Sequence, residues 1–347
     1  MAITEIKKND ITAVLVGCGG MAGAWIQAVL ETGAVRLVGC VDLNEEAARN
    51  RAAYAQIKDP IIGTDLDEVL TKAKPDVVFD CTIPEAHYAV TLTALKHGCH
   101  VLGEKPLATS MAQAREMVAT AEATGKIYAV IQNRRYNAEI RRLKHFLEQG
   151  TLGELTTLNC DFFLGPRFGG FREQMNHVLL LDMAIHTFDA ARLICGGDAV
   201  SVYCKEWNPS GSWFKHGASA VAIFEMSNGV IYTYRGSWCA LGSETTWESD
   251  WRILGTQGSA RWDGGGGLKA EVLHQEADKL SLKPVEWPDF DAADKVGGHA
   301  GLIREFTDCV LNGGTPETVA SDNINSLAMV LAAVESAETG KRVDIRT

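Results

Sequence analysis

The feature that most constrains the fold is the order of the first 132 residues, where short apolar runs rich in β-branched residues alternate with longer stretches of helical periodicity. Parallel strands need a crossover between them, and a helix supplies it, so the alternation predicts a parallel sheet covered on both faces. Six strands are expected, at Ile11–Val16, Val35–Asp42, Pro60–Gly63, Asp76–Asp80, His100–Gly103 and Ile127–Gln132. Between them, Met21, Trp25, Val29 and Leu30 mark one helix and Pro84–Lys96 a second. A third, Ser110–Thr124, carries Met111, Ala114, Met117, Val118 and Ala121 on one stripe.

After Gln132 the pattern changes, through a helix expected at Asn137–Gln149 and a Gly-rich turn at 149–153. Strands Ala218–Met226 and Val230–Trp238 flank Asn228-Gly229, a pair suited to the positive φ angles of a tight hairpin. Two late helices (Gly301–Leu311, Ser321–Glu338) and a strand at Arg342–Ile345 follow. A chain of 347 residues is expected to form two domains. These are an α/β dinucleotide-binding domain over 1–132 and an α+β domain over 133–347 built on a mostly antiparallel sheet.

Charge and cysteine usage exclude some partners. A net charge of −11 repels phosphate polymers and anionic lipid, so neither nucleic acid nor membrane is expected as a partner. Nine scattered cysteines without a C-x-x-C pair point to free thiols, and Met1–Lys8 lacks the apolar core of a signal peptide. No apolar run reaches the roughly 18 residues of a membrane span. A cytoplasmic location is the expectation.

The first chemical motif is Gly17-Cys18-Gly19-Gly20-Met21-Ala22, a G-x-G-x-x-A run between a strand and a helix. Gly17 permits the tight turn, Gly19 lets the backbone approach a pyrophosphate, and Ala22 allows close helix packing, while the helix start offers free N–H groups. Asp42 ends the next strand, 23 residues after Gly19, placed to accept from an adenosine ribose and to repel a 2′-phosphate. NAD is expected over NADP. A solvated aspartate capping the following helix fits the same position.

Three further polar clusters fall at the carboxyl ends of strands, where open α/β sheets hold their ligands. They are Thr82-Ile83-Pro84 with His87, Glu104-Lys105-Pro106, and Asn133-Arg134-Arg135-Tyr136. A solvated loop accounts for any one of them alone. In the second domain, Asn176–Asp189 reads as a helix in which Asp182 and His186, four apart, share one face. A surface ion pair or half a metal site has the same spacing, but with no H-E-x-x-H run or clustered cysteines no metal is expected. Beside a nicotinamide domain, a histidine suits the proton exchange that accompanies hydride transfer.

This ordered set of motifs is similar to the glucose-fructose oxidoreductase, inositol dehydrogenase and rhizopine-catabolism (Gfo/Idh/MocA) family over nearly the whole chain. The resemblance implies a catalytic set of Lys105, Asp182 and His186, with His186 as acid–base, Lys105 steadying the alkoxide and Asp182 orienting the site. It also implies Glu104 near the nicotinamide ribose, Asn133, Arg134 and Asp189 at ligand positions, and homodimers or homotetramers formed through the open face of the second sheet. Where many relatives carry a glycine-rich run, this chain has Met175–Leu181, so His177 either faces substrate or simply starts the helix. The loop Gly165–Arg172 offers Phe168 and Phe171 for stacking on a sugar, and Arg167 and Arg172 for its hydroxyls or a carboxylate. The implied activity is NAD-dependent hydride transfer at a secondary hydroxyl, or the matching keto group, of a sugar, cyclitol or related polyol. A redox-neutral glycosidase or lyase that oxidises its sugar transiently is one alternative. A silent sugar sensor is another, against which an intact Lys105, Asp182 and His186 argue.

Overall fold

A computed structural model describes residues 11–276, 279–290 and 295–347. The expected lack of a signal core at Met1–Lys8 concerns residues outside that range. The chain begins as β1 (Ile11–Val16), α1 (Gly20–Thr32), β2 (Val35–Val41), α2 (Glu45–Tyr54), β3 (Ile61–Gly63) and α3 (Leu66–Ala73). It continues through β4 (Val77–Asp80), α4 (Pro84–Lys96), β5 (His100–Gly103), α5 (Met111–Thr124) and β6 (Tyr128–Val130), then a 3₁₀ turn at Asn133–Tyr136. These six strands form one parallel sheet in the order β3-β2-β1-β4-β5-β6. β1 and β4 are buried almost throughout, which is why they read as unbroken apolar runs. The chain reverses its direction of travel across the sheet between β1 and β4, the switch point at which a ligand crevice forms. Helix starts follow local chemistry: Asn44, Asp65 and Ser110 each accept a backbone N–H from the first turn, and Pro84 opens α4.

The chain then forms α6 (Ala138–Glu148), β7 (Leu155–Phe163), a π-helical turn at Leu179–Ala184, α7 (Ile185–Cys195), β8 (Ala199–Trp207), β9 (Ser219–Met226) and β10 (Ile231–Ser237). Four more strands follow, β11 (Asp250–Gly255), β12 (Gly258–Trp262), β13 (Leu268–Glu276) and β14 (Lys279–Val285), and then α8 (His299–Asn312), α9 (Ala320–Thr339) and β15 (Val343–Asp344). The second sheet has nine strands in the order β14-β13-β12-β11-β7-β10-β9-β8-β15. It is antiparallel apart from the parallel β7–β10 pair. Asn228-Gly229 makes the expected hairpin between β9 and β10, with Gly229 at φ 83° and Met226 N–H donating to Val230 O at 2.9 Å. On the inner face Phe188 of α7 meets Phe224 edge-on at 4.8 Å and Tyr234 at 5.2 Å, within a core that includes Tyr232 and Trp251.

The described residues within 1–136 and 294–324 form one compact unit, and those within 137–293 and 325–347 a second. The first therefore takes in α8, whose Leu302, Ile303 and Phe306 are fully buried in one core with Trp25, Phe79 and Tyr136. Among the described residues no helix is long and apolar enough to cross a membrane.

Candidate active site

In the first unit the loop from β1 into α1 has the geometry its glycines predict. Gly17 sits at φ 85° and donates to Val41 O at 2.8 Å; a Cβ there would lie 2.6 Å from the Cys81 carbonyl. Gly19 is the N-cap of α1 and holds no side-chain hydrogen bond; a Cβ on Gly19 or Gly20 would meet nothing within 4 Å. The first N–H groups of α1 thus face open space that no side chain fills, a cradle that fits a pyrophosphate. Met21 is partly exposed beside it. Asp42 holds the loop in place: one oxygen accepts from Cys18 N–H at 2.7 Å and the other from Asn44 N–H at 2.8 Å. The aspartate therefore braces the loop.

Arg51 was not legible in the sequence, because only the packing of α2 brings it near. Its guanidinium donates to Cys18 O at 3.1 Å and Gly19 O at 2.7 Å, fixing both carbonyls of the loop. The thiol beneath stays protonated: a hydrogen bond with Cys40 and burial both push Cys18 up. Burial, with Glu104 and Asp80 nearby, does the same to Cys81.

At the end of β4, buried Asp80 accepts from Thr82 N–H at 3.0 Å and from its hydroxyl at 2.5 Å, while its other oxygen meets His87 Nδ1 at 2.9 Å. His87 is turned inward and braces this turn from behind. Ile83 is exposed and Pro84 follows it into α4, so the outward rim of the turn is Thr82-Ile83-Pro84. At the end of β5, Glu104 Oε1 accepts from Trp25 Nε1 at 2.8 Å and Oε2 from Lys105 N–H at 3.2 Å. The Lys105–Pro106 bond is cis.

The turn after β6 divides its labour. Asn133 donates from Nδ2 to His299 Nδ1 at 3.3 Å, and Arg134 is buried. Arg135 pairs with Asp322 at 3.2 Å and Tyr136 donates to Glu305, so both anchor the turn. Trp25 and His299 are the other residues the sequence did not single out for the site; neither belongs to a strand-end motif.

In the second unit the helix expected over Asn176–Asp189 is instead the π-helical turn Leu179–Ala184 running into α7. Asp182 lies in the wide turn and His186 in the α-helix, so the i,i+4 geometry of one uniform helix does not apply between them. Such single wide turns recur at functional sites. Both side chains are about nine-tenths buried. Arg172 donates from Nε to Asp182 Oδ2 at 2.7 Å, and its guanidinium lies 4.9 Å from the Phe171 ring and 5.8 Å from that of Phe168. Arg167 stacks over Trp213 at 4.5 Å. Phe168 and Phe171 remain more than half exposed, and Phe168 sits 6.4 Å from both Trp238 and Trp247.

The structure leaves two residues of this set occupied elsewhere. His177 stands at φ 52° with Nδ1 2.6 Å from Glu206 and Nε2 3.2 Å from Glu338, and the Glu206 hydrogen bond raises its pKa. Its ring ties β8 to α9. Asp189 is buried, accepts from Ser326 at 2.7 Å and lies 3.7 Å from Arg192. Among the described residues there is no group of three or more His, Cys, Asp or Glu side chains able to hold a metal ion.

Residues 11–132 match the GFO/IDH/MocA oxidoreductase family profile described as an NAD-binding Rossmann fold, and residues 140–261 match the GFO/IDH/MocA carboxyl-terminal domain. A 1,5-anhydro-D-fructose reductase of Ensifer adhaerens is 26% identical over 96% of this chain and 98% of its own. A D-apiose dehydrogenase of Rhizobium rhizogenes is 29% identical over 78% of this chain and 79% of its own. A solved oxidoreductase from Agrobacterium radiobacter, in complex with NAD+, L-tartaric acid and magnesium, has a TM-score of 0.83 at 24% identity. That likeness covers 97% of this chain and 98% of that one, and bears on the fold alone.

Proposed function

From a chain that belongs to the GFO/IDH/MocA family of NAD-binding oxidoreductases, we infer a dehydrogenase that oxidises a secondary hydroxyl of a sugar, cyclitol or related polyol, or reduces the matching ketone. The relatives named as a reductase of anhydrofructose and a dehydrogenase of apiose support the substrate class. The observation that carries the reading is Asp182, nine-tenths buried, held by Arg172 on a π-helical turn that leads directly to His186.

When bound, NAD supplies the hydride acceptor at C4 of its nicotinamide ring. His186 is assigned the hydroxyl proton as the C–H bond breaks, the task an imidazole performs near neutral pH. Lys105 is assigned the charge that develops on oxygen, and Asp182 the orientation of the hydroxyl. Thr82, Ile83, Pro84, Glu104 and Asn133 are the proposed lining of the cofactor site beside the glycine loop. Arg134, Arg167 and Arg172 are proposed to meet substrate oxygens, with Phe168 or Phe171 stacking on the ring. His177 and Asp189 are proposed to support that site through the ion pairs they already make. Two or four copies of the chain are proposed to assemble through the exposed face of the nine-stranded sheet.

The test is a panel of sugars, cyclitols and sugar acids assayed for reduced nicotinamide, with NAD and NADP supplied separately. Lys105→Ala and His186→Ala should each lower kcat by about 10²- to 10⁴-fold, the share typical of a positioned acid–base group, while the melting temperature and NADH binding hold. Turnover that persists in both folded variants refutes the assignment. Cleaved product without net NADH would identify the redox-neutral chemistry instead.

A further inference from the structure

The NAD-binding unit is not built from its amino-terminal residues alone. His299 opens α8, far along the chain, yet its ring stands edge-on to Trp25 at 6.4 Å and its Nδ1 receives the Asn133 amide at 3.3 Å. Trp25 in turn donates to Glu104, and Glu104 accepts the N–H of Lys105. One imidazole therefore touches both lines of contact that end at proposed ligand-facing residues, Asn133 on one side and Glu104-Lys105 on the other. We propose that His299 is a positioning residue for the NAD site, holding Asn133 and Trp25 while neutral and releasing Asn133 when protonated. The inference rests on the reading of Asn133 as a cofactor contact.

The donor count gives the mechanism. An amide nitrogen can only donate, so Nδ1 of His299 is the acceptor and the ring hydrogen lies on Nε2. Protonation puts a hydrogen on Nδ1 as well, which faces the Asn133 NH₂ group donor to donor. Asn133 then either leaves or flips, and a flip exchanges donor for acceptor at the end it presents to a ligand. Burial favours the neutral ring and lowers the His299 pKa, whereas Glu104, the charged side chain acting on it, works in the opposite direction. Trp25 of α1 and Asn133 of the 3₁₀ turn, which contact the ring, carry no charge, while the same turn also holds the buried cations Arg134 and Arg135. The neutral, holding form is thus the one present at neutral pH, and the site loosens as pH falls through the lowered pKa.

The experiment measures the NADH dissociation constant directly between about pH 8 and pH 5, for the full chain and three variants. The unmodified protein should bind NADH progressively more weakly as pH falls toward 5, and a flat profile overturns the proposal. His299→Asn keeps an acceptor where Nδ1 stood and cannot titrate, so its affinity at pH 8 should stay within about threefold and its acid loss should vanish. His299→Phe keeps the packing on Trp25 but offers no acceptor, and should bind about tenfold more weakly at every pH with no acid dependence of its own. An acid loss that survives in His299→Asn overturns the proposal even if the Phe variant fails to fold. Unchanged binding in His299→Phe also overturns it. Asn133→Ala with unchanged NADH affinity overturns the reading of Asn133, and with it the route through which His299 acts. Weakened binding in Asn133→Ala with normal His299 variants sinks the His299 assignment alone.

Discussion

Gly17 and Gly19 stand two residues apart and are glycine for different physical reasons. At Gly17 the backbone is left-handed and the space for a Cβ is taken by the Cys81 carbonyl, so the constraint lies in the folded chain itself. At Gly19 the φ is −75° and a Cβ would meet nothing; the room is kept for a ligand. Gly17→Ala should therefore cost about 1–3 kcal/mol in backbone strain alone, more with the clash, and lower the melting temperature by several degrees along with NADH affinity. Gly19→Ala should leave the melting temperature within about 2 °C and still raise the NADH dissociation constant about tenfold or more, because the methyl occupies the anion's approach. Differential scanning and a binding titration on the two variants read this; equal melting temperatures would refute the division. These glycines and Asp42 were legible because they fall at fixed spacing in a G-x-G-x-x-A run after one strand and at the end of the next. Arg51, Trp25 and His299 were not, since each reaches its partner through packing between distant segments, for which a one-dimensional pattern carries no signal.

Among elements, strands that alternate were easier to read than helices that change pitch. β9 runs buried-exposed from Ala220 to Met226 and β10 does so from Ile231 to Gly236, with a period of two that the hairpin between them anchors. The Leu179–Ala184 turn has no such mark: without Pro or Gly, its widened pitch follows from tertiary packing, so a uniform helix was the natural expectation. The same alternation leaves one face of the nine-stranded sheet outside the core, where Ile223, Ile231 and Tyr203 are exposed among the ion pairs Asp161–Arg235 and Asp250–Arg261. An exposed face carrying apolar groups among ion pairs is the surface through which assembly is proposed, a two-fold axis being the commonest symmetry of homo-oligomers. Sedimentation should find two or four copies at about micromolar concentration. Ile223→Lys should shift the population toward monomer without lowering secondary structure; a monomeric parent protein refutes assembly through this face.

At the scale of the whole molecule, neither compact unit is one continuous stretch, since the described residues divide at 136, 293 and 324. The span whose alternation announces an NAD-binding domain, 1–132, consequently omits part of that domain's own core. Leu302, Ile303 and Phe306 are fully buried there, with Tyr136 packed among them. Each such apolar side chain contributes about 1.5–3 kcal/mol by leaving water. Losing three is comparable to the roughly 5–15 kcal/mol that holds a typical domain folded. A fragment ending at residue 132 should therefore lack a dispersed amide spectrum and should not bind NADH. Joining residues 1–136 to 294–324 through a flexible linker should recover both, because it restores α8 against α1 and returns His299 to Asn133. Cooperative unfolding and NADH binding by the short fragment would show that α8 merely covers a domain already complete. Recovery only in the joined form would establish that the cofactor site depends on chain found after β14.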